Sequence, residues 1–182
     1  MALKDFKPAL ILACITAAVT MLLVVMQSMT QTEEEGLSGR LRELCFEIIG
    51  EGDYTVQADV AGLSPSVKKV ITHDESGTVA FQIVVKGYNR DGLDMLVVMN
   101  SDGSVNDLEI IRNTETPGIG TRVEDRAFLE SFIGLSENTR IVKAAPKSDH
   151  EIAAITGATK SARGVSDAVN VAIEAYKELF GE

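Results

Sequence analysis

Six residues near the C-terminal end of the chain combine hydroxyl groups with small residues. In the stretch 156–161 (TGATKS), threonines flank a Gly-Ala pair, just before a segment with helical spacing. One interpretation is that Thr159 or Ser161 caps the helix, which typically contributes about 1 kcal/mol. The other is a phosphate site, because a helix N-terminus offers free N–H groups and partial positive charge. The stretch alone does not separate the two.

The neighbouring residues suit the phosphate interpretation. Gly157 and Ala158 leave the backbone open to close approach, and Lys160 or Arg163 could offset the charge of a phosphate. A hydroxyl at this place could bind a phosphate, or become esterified to one. A second polar stretch, residues 113–120 (NTETPGIG), contains a Pro-Gly pair that by itself predicts only a type II turn.

The elements that must position these stretches predict an α+β fold. Alternating apolar residues predict strands at 54–56, 67–72, 79–86, 93–99, 105–111 and 140–144. Helical spacing predicts an amphipathic helix at 33–49, a short helix at 126–133 and a C-terminal helix at 162–180 with one buried stripe. Most strands are joined by hairpin-length connections, so we expect an antiparallel sheet.

The N-terminal region predicts a membrane anchor. Residues 8–29 are strongly apolar, and there is no charged residue from Pro8 to Thr32. At about 1.5 Å per residue such a helix crosses a hydrocarbon layer of about 30 Å. Lys4 and Lys7 before the span predict a cytoplasmic N-terminus, with residues 31–182 as an extracytoplasmic domain behind an anchor at 1–30. A cleaved signal peptide is the alternative, although its apolar core is usually shorter.

Composition excludes several function classes. The formal net charge of −10 disfavours binding to nucleic acid. The two cysteines, Cys14 in the apolar run and Cys45, form no disulfide framework, and with only two histidines we expect no metal site. Nucleotide-hydrolysis and metalloprotease motifs are absent from the sequence.

Taken together, the motifs resemble a known family. Gly87-Tyr88, the hairpin at Asp102-Gly103, residues 115–120 (ETPGIG) and residues 156–159 (TGAT) occur in the order found in FMN-binding domains. That family includes the G subunit of Rnf complexes and the C subunit of sodium-pumping NADH:quinone reductase. The size and motif spacing are more similar to the Rnf protein.

The resemblance implies a covalent flavin. In this family the last hydroxyl of the motif, here Thr159, is joined to FMN by a phosphoester, which a flavin transferase forms from FAD outside the cytoplasm. Thr156, Gly157, Ala158 and Lys160 would surround the attachment point. The loop carrying Glu115, Thr116 and Gly118 would lie beside the flavin. Where the family pattern has an aspartate, this chain has Ala153.

Two functions follow from the resemblance. The first is an electron-transfer subunit with covalent FMN in a membrane-bound, ion-translocating ferredoxin:NAD oxidoreductase complex of the Rnf type. Its partners would be the other membrane subunits, and it would have no catalytic site of its own. The second is a non-redox, membrane-anchored assembly or binding module that kept the fold and lost the flavin, which the alanine at 153 would allow.

Overall fold

A computed structural model of the chain describes residues 6–31, 37, 39–57 and 60–181. The chain divides into two compact units, residues 1–38 and residues 39–182. The first unit contains helix α1, Phe6–Gln31. Within the described ranges, none of the helices combines the length and the apolar character needed to cross a membrane.

The second unit is built on an antiparallel sheet, as predicted. Its strands lie in chain order, and each is antiparallel to its neighbours. They are β1 Tyr54–Gln57, β2 Val67–His73, β3 Val79–Val85, β4 Leu93–Met99 and β5 Val105–Asn113. The predicted turn connects β4 and β5, and its Gly103 has a φ of +79° that a residue with a side chain rarely adopts.

One face of the sheet is covered by α4, Thr159–Phe180. Its stripe of apolar residues is buried together with alternate residues of β3 and β4, among them Phe81, Ile83, Met95 and Val97. Fully burying a side chain of this size stabilises the fold by about 1.5–3 kcal/mol. The amphipathic pattern of the sequence therefore determines which face of α4 lies against the sheet.

Helix α2, Gly39–Ile48, covers the other face. Its buried residues Leu41, Leu44 and Cys45 lie outside the cluster around α4, as do the fully buried Leu96 and Val98 of β4, and α2 contacts β5. Since alternate residues of a strand point to opposite faces, both faces of the sheet are covered. The helix predicted at 33–49 begins at Gly39; residues 33–36 and 38 lie outside the described residues.

Short elements fill the connection from β5 to α4. A 3-10 turn at Gly120–Glu124 leads into α3, Arg126–Leu129, which continues as a second 3-10 turn at Glu130–Phe132. The predicted helix 126–133 is thus one α-helical turn followed by a tighter one. Strands β6, Arg140–Val142, and β7, Glu151–Ala153, pair in parallel. The sequence predicted no strand at β7.

The N-terminus of α4 lies close to the end of β3. A Cβ atom added to Gly164 would come within 3.0 Å of the Lys86 carbonyl oxygen and 3.3 Å of the Gly87 Cα. A glycine in the second turn of α4 therefore permits a close approach that a larger residue would obstruct. This packing brings residues 156–161 next to the loop that follows β3.

Candidate functional site

The loop after β5 forms the predicted turn. The Ile119 N–H donates to the Thr116 carbonyl at 3.2 Å, and Gly118 has a φ of +74°, as a type II turn requires. The same carbonyl also accepts a hydrogen bond from the Gly120 N–H at 2.8 Å. The Thr116 backbone is therefore fixed, whereas its side chain is exposed and has no hydrogen-bond partner within the described residues.

The carboxylate of Glu115 connects three segments. It is buried, and it accepts hydrogen bonds from the N–H groups of Tyr88 at 3.1 Å and Asn89 at 3.0 Å, and from the Ser161 hydroxyl at 2.6 Å. A Cβ added to Gly120 would lie 2.6 Å from the Glu115 Cβ, so the backbone itself encloses this side chain. Glu115 holds the two predicted motifs together.

The helix-cap interpretation of the hydroxyls is wrong. The N-cap residue of α4 is Ala158, which has no side-chain capping bond, and the helix begins at Thr159 instead of residue 162. Ser161 donates to Glu115, while the Thr159 hydroxyl has no partner within the described part of the chain. Gly157, two residues before Thr159, has a φ of +85°. Of the two interpretations of residues 156–161, helix cap and phosphate site, only the phosphate site is still open.

The two motifs line one cleft of about 470 Å³, a volume in the usual range for small-molecule sites of about 300–1,000 Å³. Its walls consist of Tyr88, Glu115, Thr116, Ile119, Gly120, Gly157, Ala158, Thr159, Lys160 and Ser161. Six of the eight predicted site residues are among them. The two others are Gly118, in the adjacent turn, and Thr156, whose carbonyl accepts a hydrogen bond from Arg122 at 3.0 Å.

Four lining residues were not among the predicted site residues. Tyr88 and Ile119 keep 68% and 52% of their surface exposed, and the Lys160 ammonium lies 5.2 Å from the centre of the Tyr88 ring. Gly120 and Ser161 contact Glu115. The Gly87-Tyr88 pair was part of the sequence resemblance, but Tyr88 reaches the cleft through a contact with the distant Glu115, which no local spacing indicates.

Ala153, where the family has an aspartate, is exposed at the end of β7. The nearby Glu151 is buried and has a structural role. The Lys147 N–H and the Arg140 guanidinium both donate to its carboxylate. These two contacts, the backbone one foremost, hold the pKa of Glu151 below its ordinary value. The Glu151 carboxylate is thus bonded to Arg140 and Lys147, and Glu151 is not among the residues that line the cleft.

The part of the chain that contains the cleft is similar in sequence to known proteins. Residues 87–174 match the sequence profile of the family described as "FMN-binding domain". The chain is 33% identical over 90 residues to the G subunit of the Na(+)-translocating ferredoxin:NAD(+) oxidoreductase complex of Acetobacterium woodii, covering 48% of this chain and 43% of the relative. It is 30% identical over 106 residues to the G subunit of the proton-translocating complex of Clostridium ljungdahlii, covering 57% of each. The chain thus spans about half the length of these curated relatives.

Two solved structures share the fold. NqrC of Shewanella oneidensis superposes with a TM-score of 0.53 at 18% identity, over 80% of this chain and 88% of that one. The C subunit of the Na(+)-translocating NADH-quinone reductase of Parabacteroides distasonis superposes with a TM-score of 0.51 at 18% identity, over 63% and 62%. The region from residue 87 to 174, which contains the cleft, is therefore similar in sequence to the FMN-binding domain family, and the two solved structures share the fold of this chain.

Proposed function

We propose that the domain carries one FMN joined by a phosphoester to Thr159. The main supporting observation is the position of this hydroxyl. It lines the cleft at the first residue of α4 and has no hydrogen-bond partner within the described residues. A helix start offers N–H donors and partial positive charge to a phosphate.

The cleft fits such a group. A Cβ added to Gly157 would find only the Ile119 Cγ2 atom within 4 Å, at 4.0 Å, so the backbone before Thr159 stays accessible. Lys160 adds a positive charge beside the attachment point, and Tyr88 and Ile119 offer apolar surface. When bound, FMN would supply the chemistry of accepting and passing on electrons, and the protein would bind and orient it.

Attachment requires a second protein, a flavin transferase that uses FAD. The Thr159 oxygen forms a bond to the phosphorus on the FMN side of FAD, the phosphoanhydride bond breaks, AMP leaves and the hydroxyl proton is released. Since the hydroxyl lines an open cleft and the residue before it is the small Ala158, the transferase can reach it.

We further propose that the chain is the electron-transfer component of a membrane-bound, ion-translocating ferredoxin:NAD oxidoreductase complex of the Rnf type. The support is the similarity to the G subunits of two such complexes, over about half of their length. Its partners would be the other membrane subunits. A covalent bond suits this role, because an electron carrier must stay in place in every redox state.

The same role needs membrane attachment, and we propose residues 8–29 as the anchor, with the domain outside the cytoplasm. None of the described helices meets the requirements for crossing a membrane, so the support comes from the sequence alone. Residues from Pro8 to Thr32 carry no charge, and Lys4 and Lys7 precede them. Protease added to cells without a wall should digest the domain; complete protection would reverse the orientation.

The test of the function is flavin fluorescence on a denaturing gel of the purified full chain, produced together with a flavin transferase. The wild-type band should fluoresce, the Thr159→Ala band should not, and Thr156→Ala should keep its fluorescence because its hydroxyl is not the one esterified. A dark wild-type band would favour the alternative, an anchored assembly module without flavin, which the alanine at 153 allows.

A further inference from the structure

The Glu115 side chain lies between two glycines that leave room for it. A Cβ atom added to Gly87 would lie 2.8 Å from the Glu115 carboxyl carbon, and one added to Gly120 would lie 3.0 Å from the Glu115 Oε2 atom. Only 4% of Glu115 is exposed, and the residue nevertheless belongs to the cleft wall. Because a side chain at either glycine would collide with this carboxylate, the backbone around it holds the group in one place.

The hydrogen bonds of this carboxylate fit its ionised form. The Tyr88 N–H and the Ser161 hydroxyl donate to Oε2, and the Asn89 N–H donates to Oε1. A protonated carboxyl group would have to donate a hydrogen bond of its own, whereas backbone N–H groups cannot accept one. An ionised carboxylate accepts at both oxygens, as this one does. The cleft wall therefore contains a buried negative charge.

This charge has no cationic partner. Within the described residues, Glu115 forms no ion pair with a lysine, arginine or histidine, unlike Glu151, which pairs with Arg140. Lys160 is the one cation among the residues that line the cleft, and it is exposed. Solvent and salt screen an exposed charge much more than a buried one. The field of Glu115 therefore acts on whatever occupies the cleft.

We propose that Glu115 is a fixed charge that disfavours further negative charge in the cleft, and that it thereby lowers the reduction potential of the group bound there. The proposal rests on the function proposed above, because that group is the FMN on Thr159. Reduction adds electrons to the occupant, and a nearby negative charge makes this addition less favourable. A carrier with a lower potential passes its electrons on more readily.

A thiol in place of the Thr159 hydroxyl measures this field without any flavin. In the full chain produced without a transferase, Thr159→Cys places the thiol at the first residue of α4. Its thiolate displaces iodide from uncharged iodoacetamide and forms a sulfur–carbon bond, whereas the neutral thiol does not react. Peptide mass spectrometry separates this position from Cys14 and Cys45. Adding Glu115→Gln should raise the alkylation rate near neutral pH by about threefold or more, because the thiolate then forms more easily.

Two further variants separate the charge from a merely structural role. Glu151→Gln removes another buried carboxylate that is outside the cleft wall, and it should change the alkylation rate little. Ser161→Ala keeps the charge of Glu115 and removes a donor that offsets part of it, so the rate should fall. A loosened cleft would raise the rate in both Glu115→Gln and Ser161→Ala, and this result would overturn the proposal. If Glu115→Gln does not fold, an unchanged or higher rate in Ser161→Ala alone would overturn it.

The redox consequence is measured by spectroelectrochemical titration of the full chain produced with a transferase, with Thr159 intact. At a fixed applied potential, Glu115→Gln should raise the ratio of reduced to oxidised flavin by about threefold or more, which is about 28 mV for a one-electron couple. Ser161→Ala should lower the ratio, and Glu151→Gln should leave it unchanged. An unchanged potential in a flavin-bearing Glu115→Gln chain would overturn the proposal and leave the cofactor in place. A chain that takes up no flavin but shows the alkylation effect would refute the cofactor and leave the charge in place.

Discussion

The carboxylate of Glu115 should be the main polar support of the cleft, and its hydrogen bond with Ser161 offers a direct test. Ser161→Ala removes a bond from a hydroxyl to a buried carboxylate at 2.6 Å. Hydrogen bonds to charged groups contribute about 1.5–3 kcal/mol, so we expect the free energy of unfolding to fall by about 2 kcal/mol. For a compact unit of the size of residues 39–182, each kcal/mol lost from the free energy of unfolding lowers Tm by about 2–4 °C.

Calorimetry of the full chain measures this change, and Ser131→Ala is the matched control. The Ser131 hydroxyl donates to the Phe128 carbonyl at the surface, so its loss should cost less than about 0.5 kcal/mol. Glu115→Gln should cost more than Ser161→Ala, because an amide nitrogen then replaces an oxygen that faces at least one donor. If all three variants unfold together, Glu115 does not support the cleft.

Three further predictions concern single side chains. Ala153→Asp restores the family residue at an exposed place, so flavin occupancy under limiting transferase should be equal or higher; a sharp fall would show that the motif lies in another register. Thr116→Ala should shift the flavin potential by about 40 mV for a one-electron couple, which is equivalent to the loss of one hydrogen bond. The control is Thr114→Ala, which should not shift the potential because the Thr114 hydroxyl donates to the Gly92 carbonyl away from the cleft. Equal potentials in the two variants would show that Thr116 is not part of the flavin pocket. The pKa of Glu151 is lowered in the folded protein, so its contribution to stability is complete above the ordinary value of 4.5 and is lost as the pH falls through the lower folded value. Glu151→Gln should therefore show a smaller decrease in Tm on acidification than the wild type. An equal decrease in both proteins would contradict this.

The sequence predicted the main sheet because its strands alternate regularly or are bounded by clear turns. The predicted hairpin between β4 and β5 is confirmed, with the glycine at the expected position. Strand β7 was missed because three residues are too short for a period to show, and its partner β6 is parallel and separated by a loop. Short parallel pairs depend on tertiary contacts that local pattern does not encode.

The start of α4 could not be predicted from capping preference. Sequence rules look for a hydroxyl or carboxamide at the N-cap, and here the cap is Ala158 without a side-chain bond. The three residues gained at the start of the helix are the ones that place Thr159 in its first turn. A turn with Gly157 at a φ of +85° precedes the helix, and no side chain caps it.

The motifs identified the cleft, but the role of Glu115 within it depends on long-range contacts. Its three donors come from the loop after β3 and from α4, which are distant in sequence. The sequence predicted that this side chain lies beside the flavin, and the structure places it in the cleft wall with its oxygens already bonded. Tyr88 belonged to a motif of the sequence resemblance, and its place in the cleft wall depends on the same long-range contacts.

The most direct test of the central claim is peptide mass spectrometry of the full chain produced together with a flavin transferase. The peptide containing Thr159 should be heavier by the mass of one FMN less one water, and fragment ions should assign the added mass to Thr159. An unmodified peptide, or fragment ions that assign the added mass to Thr156 or Ser161, would contradict the account.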